Sequence, residues 1–114
     1  TNPYARALLL GELSDAPPPE QPGKIQLVHA DAAAWLEEQP PGSLHGFTLS
    51  NILDGADDAY RRRLFAAVER AAAPGALRVL RSFAEPREEL PSNRAAQDRS
   101  MLWGIVEVCP CAAV

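Results

Sequence analysis

At 114 residues, 46% hydrophobic and 23% charged, the chain has the length for one globular domain built on one core. A net charge of -4 gives no electrostatic reason to expect nucleic acid or an anionic membrane surface as a partner. No apolar run approaches the roughly 18 to 20 residues of a membrane span, and no basic-then-apolar leader opens the chain, so the expectation is a soluble, cytoplasmic protein with no transmembrane segment. A chain that opens on Thr1 rather than Met also reads as a piece of something longer.

Taken from the start, "TNPYARALLLGEL" predicts a helix over residues 2–11, with Asn2 as its cap, Pro3 at the first helical position and Gly11 ending it. Over residues 14–24, "SDAPPPEQPGK" carries four prolines in eleven residues, which excludes helix and ladder and marks a linker. An α/β core is then expected over residues 25–108. "IQLVHAD" alternates and carries Ile and Val, so Ile25 to Ala30 reads as a strand that delivers Asp31 at its carboxyl end. "AAAWLEEQ" reads as a short helix, "PPGS" as a turn, and Leu44 to Leu49 as a second strand that stops on Ser50 and Asn51.

The strongest pattern follows. Tyr60, Leu64, Ala67, Val68, Ala71 and Ala72 form an apolar stripe at spacings of three and four behind Asp57 or Asp58 as cap. Pro74-Gly75 is expected to stop that helix, and "ALRVLRSF" reads as a third strand. A loop or short helix around "PREELPSNRAAQDRS" and a final strand in "MLWGIVEV" complete the chain. Strand-helix alternation of this kind predicts a parallel sheet with helices on its faces, whose ligands sit beyond the carboxyl ends of the strands. The polar residues at those ends, Asp31, Ser50, Asn51, Arg81 and Ser82, are therefore candidates for a site. Ordinary polar turns at the sheet edge are the alternative.

Two cysteines, Cys109 and Cys111, flank Pro110 and are too close in the chain to bridge without strain. With no histidine beside them they read as reduced, inert thiols, and His29 and His45 as core or edge residues, so no metal site is expected.

The segments "VHADAAAWL", "GSLHGFTLSNILD" and "APGALRVLRSF" resemble, in order, the latter half of the class I AdoMet-dependent methyltransferase fold. A narrower resemblance adds "NPYARALLLG" and "DRSMLWG" and is similar to the C-terminal region of the BtaA-like proteins. These are relatives of the enzyme that transfers a 3-amino-3-carboxypropyl group from AdoMet to diacylglycerol. The resemblance implies a partial Rossmann-like parallel sheet lacking its first two strands. It also implies S-adenosylmethionine as cofactor and a lipid or small-molecule acceptor in the parent protein.

Carried over by position, the Asp31 carboxylate would accept from the adenine amino group, and the amide of Ala32 would meet a ring nitrogen. Ser50 and Asn51 would lie beside the sulfonium and the methionine moiety. Arg81 and Arg99 would hold a carboxylate, a surface salt bridge and a solvated loop charge being the respective alternatives. Asp54 would orient an acceptor hydroxyl or serve as a turn residue before Gly55.

No glycine-rich loop after an apolar strand precedes Ile25, the early glycines being Gly11 and Gly23, so the glycine-loop and ribose contacts of the cofactor are missing from the expected site. Weak or absent AdoMet binding by this chain alone follows. Either Ile25 to Ala30 pairs directly with Leu44 to Leu49, or a second copy supplies the missing edge in a homodimer. The competing expectation is a non-catalytic, self-associating domain that uses a sheet edge or the Leu8-Leu9-Leu10 surface.

Overall fold

The structure is a computed structural model that describes residues 9–11, 23–85 and 92–111. The helix expected over 2–11 and the linker over 14–24 lie mostly outside these residues, as does Leu8; Leu9 and Leu10 are helical and exposed.

Helix α1 (Ala32–Glu38) starts where Asp31 caps it, the carboxylate accepting from the Ala34 amide at 2.8 Å. It buries Ala33 and Leu36. A Pro-Pro-Gly turn follows, in which Gly42 takes φ +67°, a conformation open to glycine without steric cost, and donates to the Arg70 carbonyl at 3.0 Å. Strand β1 (Leu44–Leu49) buries Phe47 and Leu49 two residues apart on one face, as period-two patterning requires.

Helix α2 (Asp58–Ala71) is capped by Asp57, which accepts from the Tyr60 amide at 2.7 Å, and its buried stripe is Leu64, Ala67, Val68 and Ala71. That stripe packs with α1, with Phe47 and Leu49, and with Leu80 of β2 (Ala72–Ser82) in one apolar cluster. Strand β3 (Ile105–Pro110) completes the sheet.

The sheet order is β1-β2-β3, with β1 and β2 parallel and β2 and β3 antiparallel. The fold is thus α/β with a three-stranded mixed sheet flanked by helices, and not the all-parallel sheet expected. Its β1-α2-β2 crossover is the unit the strand-helix alternation predicted.

The strand expected over Ile25 to Ala30 is absent. Residues 24–29 carry no regular secondary structure, and β1 pairs only with β2 among the described residues. Ile25, Leu27 and Val28 are 71%, 93% and 48% exposed. The physical reason is the lack of a neighbour, since a strand exists only where another strand satisfies its backbone groups. Neither is the helix stopped by Pro74-Gly75. It ends three residues before Pro74, the Ala72 amide closing onto the Val68 carbonyl, and Pro74-Gly75 falls in a register shift of β2 where Leu44 pairs with Ala72 but Gly46 with Leu77.

The last strand begins at Ile105 rather than at Met101, because Gly104 passes against the backbone of Ala84: a Cβ on Gly104 would lie 2.2 Å from the Ala84 carbonyl oxygen. The buried thiol of Cys111 joins the core cluster, and burial raises its pKa and dampens its nucleophilicity. No helix among the described residues is long and apolar enough to cross a membrane.

Candidate functional site

The carboxyl ends of β1 and β2 lie side by side because the two strands run parallel, and the residues that follow each are held by hydrogen bonds. After Leu49 the chain passes Ser50 into a single 3-10 turn, Asn51–Leu53. Arg61 of α2 holds that turn from behind, its guanidinium donating to the Leu53 carbonyl at 2.8 Å. Asp54 ties the turn to the end of β2. Its carboxylate accepts from the Ser82 hydroxyl at 2.6 Å and from the Phe83 amide at 3.0 Å, and these bonds hold it below the usual carboxylate pKa.

The other wall is the segment that returns to β3. Asn93 organises it: its carbonyl oxygen accepts from the amides of Ala95 and Val106, and its side-chain amide donates to the Gly104 carbonyl. Met101 adopts φ +57°, an uncommon conformation for a side-chain-bearing residue, and turns the chain so that Trp103 stacks on Phe83 with ring centroids 4.5 Å apart.

Between the two walls lies an open groove of about 640 Å³, whose lining includes Ser50, Arg81, Asp98, Arg99, Ser100 and Trp103. Arg81 follows Leu80 in β2; since Leu80 packs into the core, alternation sends Arg81 to the opposite face of the sheet. Its Nε lies 3.6 Å from a carboxylate oxygen of Asp98, and the two side chains are 28% and 16% exposed. Asp98 accepts from both the amide and the hydroxyl of Ser100 through its other oxygen. The Ser100 hydroxyl above all, then its amide, holds the Asp98 carboxyl below the ordinary range, so it is ionised at neutral pH.

No family model, curated protein or solved structure matches the chain.

Of the residues singled out in the sequence, the groove brings together Ser50, Arg81 and Arg99. Asn51 lies in the adjoining 3-10 turn and Asp54 just after it, with Asp54 committed to the strand ends. Asp31 and Ala32 do not line it. Asp31 is engaged at the start of α1: the Ala34 amide foremost lowers its pKa, with the Tyr60 hydroxyl and Arg63 adding to the effect. Arg63 itself reaches Asp31 at 3.6 Å and binds Glu37 in a two-pronged pair at 2.8 and 2.6 Å, joining α2 to α1.

Asp98, Ser100 and Trp103 escaped the reading of the sequence. The signal available was the "DRS" triplet, in which an Asp two residues before a Ser forms a side-chain-to-backbone turn. Nothing local showed that this turn would face the ends of β1 and β2. Among the described residues no group of three or more His, Cys, Asp or Glu is arranged to hold a metal ion.

Proposed function

We propose that this is an AdoMet-transferase-like domain, related to the BtaA-like group, whose groove at the carboxyl ends of β1 and β2 receives the methionine end of the cofactor. The observation that carries the reading is the convergence of Ser50, Arg81 and Arg99 on one groove at the edge where parallel α/β sheets bind ligands. A guanidinium matches a carboxylate geometrically, and the small Ser50 leaves room beside a sulfonium while offering a hydroxyl.

The reaction of an intact relative is displacement at a carbon attached to sulfur, in which the protein chiefly positions the reactants. An oxygen or nitrogen nucleophile of a lipid or small-molecule acceptor attacks, and the thioether leaves with the electron pair of the broken bond. Attack on the methyl carbon leaves S-adenosylhomocysteine; attack on the aminocarboxypropyl chain leaves methylthioadenosine.

In this reading the groove supplies the methionine side, while Asp31 and Ala32, expected on the adenine side, do not line it, and a glycine loop and a ribose carboxylate are missing. Three or four absent hydrogen bonds at about 0.5 to 1.5 kcal/mol each lower a micromolar affinity toward millimolar, since about 1.4 kcal/mol is a factor of ten. Titrating the chain with AdoMet under amide NMR is expected to shift Ser50 and Arg81 with a dissociation constant near about 1 mM. No shift at these residues up to about 10 mM on that scale overturns the reading. A constant below about 10 μM shows that the contacts counted as missing are not needed and that the site is misplaced.

A second reading, a self-associating domain without catalysis, is favoured by two exposed features: the apolar side chains of Ile25, Leu27 and Val28, and a β1 that pairs with β2 alone among the described residues. It predicts a concentration-dependent homodimer by light scattering and no response to AdoMet.

A further inference from the structure

The groove contains a feature that carboxylate binding alone does not use. Arg81 at the end of β2 and Asp98 on the returning segment present opposite charges from the two walls, yet at 3.6 Å their contact is longer than a hydrogen bond. Among the described residues Asp98 is the only polar partner of the Arg81 side chain. The guanidinium therefore keeps donors for an incoming group. Asp98 is held differently: Ser100 occupies one carboxylate oxygen with two hydrogen bonds, and the oxygen facing Arg81 receives no hydrogen bond of normal length. The result is a fixed acceptor and a fixed donor set a few ångströms apart, with Ser50 and Trp103 lining the same groove.

We infer that Arg81 and Asp98 together form a site for a zwitterionic α-amino acid end, Arg81 taking the carboxylate and Asp98 the ammonium. The inference rests on reading the groove as a small-molecule site and adds a residue, Asp98, and a ligand class to it. An isolated anion is opposed by Asp98 beside Arg81, although Arg99 also lines the groove. An isolated cation meets the converse opposition from Arg81. A ligand carrying both charges on one carbon satisfies both walls at once and replaces the loose internal ion pair with two charge-assisted contacts. Either a free amino acid or the methionine end of AdoMet presents this chemistry.

The probes are L-methionine, its desamino analogue and its decarboxylated amine, titrated into the 114-residue chain under amide NMR. Methionine is expected to bind at least about fivefold more tightly than either analogue, shifting Arg81 and Ser100, where a full factor of ten corresponds to about 1.4 kcal/mol. In Asp98→Asn the carbonyl still accepts from Ser100 while the charge is gone, so the loop is kept, and methionine and its desamino analogue should become equal. In Arg81→Gln methionine and the amine should become equal; Arg81→Lys should restore part of the preference.

Equal affinities for the three ligands in the unmutated chain, absence of binding by all three, or a preference that survives Asp98→Asn each overturn the inference. An AdoMet titration separates the two levels. Methionine discrimination without AdoMet binding keeps the zwitterion site and ends the transferase reading. AdoMet binding that Asp98→Asn leaves unchanged keeps the transferase reading and ends this one.

Discussion

Asp54→Ala tests whether the groove depends on a clamp between the two parallel strand ends. The substitution removes two acceptors at once, leaving the Ser82 hydroxyl and the Phe83 amide without a partner from the 3-10 turn. Hydrogen bonds to a charged group contribute about 1.5 to 3 kcal/mol when buried. Asp54 is exposed, so solvent screening reduces each to about 0.5 to 1 kcal/mol and the pair to about 1 to 2 kcal/mol. For a domain of this size that is a fall in melting temperature of about 5 to 10 °C.

The pH dependence has a definite sign. The folded pKa of Asp54 is lowered, so its contribution is complete above the unfolded value of about 4 and disappears as pH falls through the folded one. The gap between the unmutated chain and Asp54→Ala should accordingly be full at neutral pH and close on acidification. Urea denaturation at pH 7 and pH 3 measures both. A difference under about 0.5 kcal/mol at pH 7, the range of an ordinary surface substitution, or a gap that fails to narrow at pH 3, would refute the clamp.

Leu64→Ala removes the largest fully buried side chain of α2 and should cost about 2 to 5 kcal/mol in chemical denaturation. Gly104→Ala drives a methyl into the Ala84 backbone and should cost about 1 to 3 kcal/mol, with amide shifts concentrated at Phe83 and Trp103. In Asp31→Asn the cap is retained and the charge lost. Because the Asp31 pKa is lowered in the folded state, the variant should be less stable than the unmutated chain at pH 7, and the difference should shrink as pH falls below the unfolded value of about 4 and vanish only below the lower folded pKa.

How far the sequence carried depends on how local each cause is. Helix α2 was legible at its start and along its buried face because the Asp57 cap and the stripe through Leu64, Val68 and Ala71 lie within one segment, but its end was not, since Ala72, read as part of the stripe, opens β2. The boundaries of β1 were equally local. Ile25 to Ala30 misled because alternation records what a strand would need and says nothing of whether a neighbour is present. Pro74-Gly75 misled in the opposite way: its turn chemistry is real, with Gly75 at φ +79°, but the structure uses it for a break in register. Arg81 could be placed at a strand end from its own segment. Its opposite charge could not, because Asp98 reaches the groove only through the antiparallel return into β3.

The exposed apolar strip at Ile25 to Val28 also sets how the chain must be handled. A short, uncharged, β-prone stretch with open backbone is the kind of segment that nucleates cross-β stacking between molecules. Here it is bracketed by Lys24 on one side and Asp31 on the other, with Gln26 interrupting the apolar residues. Flanking charges of this sort act as gatekeepers, since in-register stacking would line up like charges from chain to chain. The Asp31 carboxylate that caps α1 also stands close in sequence to this strip, and aggregation at neutral pH is expected to rise when its charge is removed in Asp31→Asn.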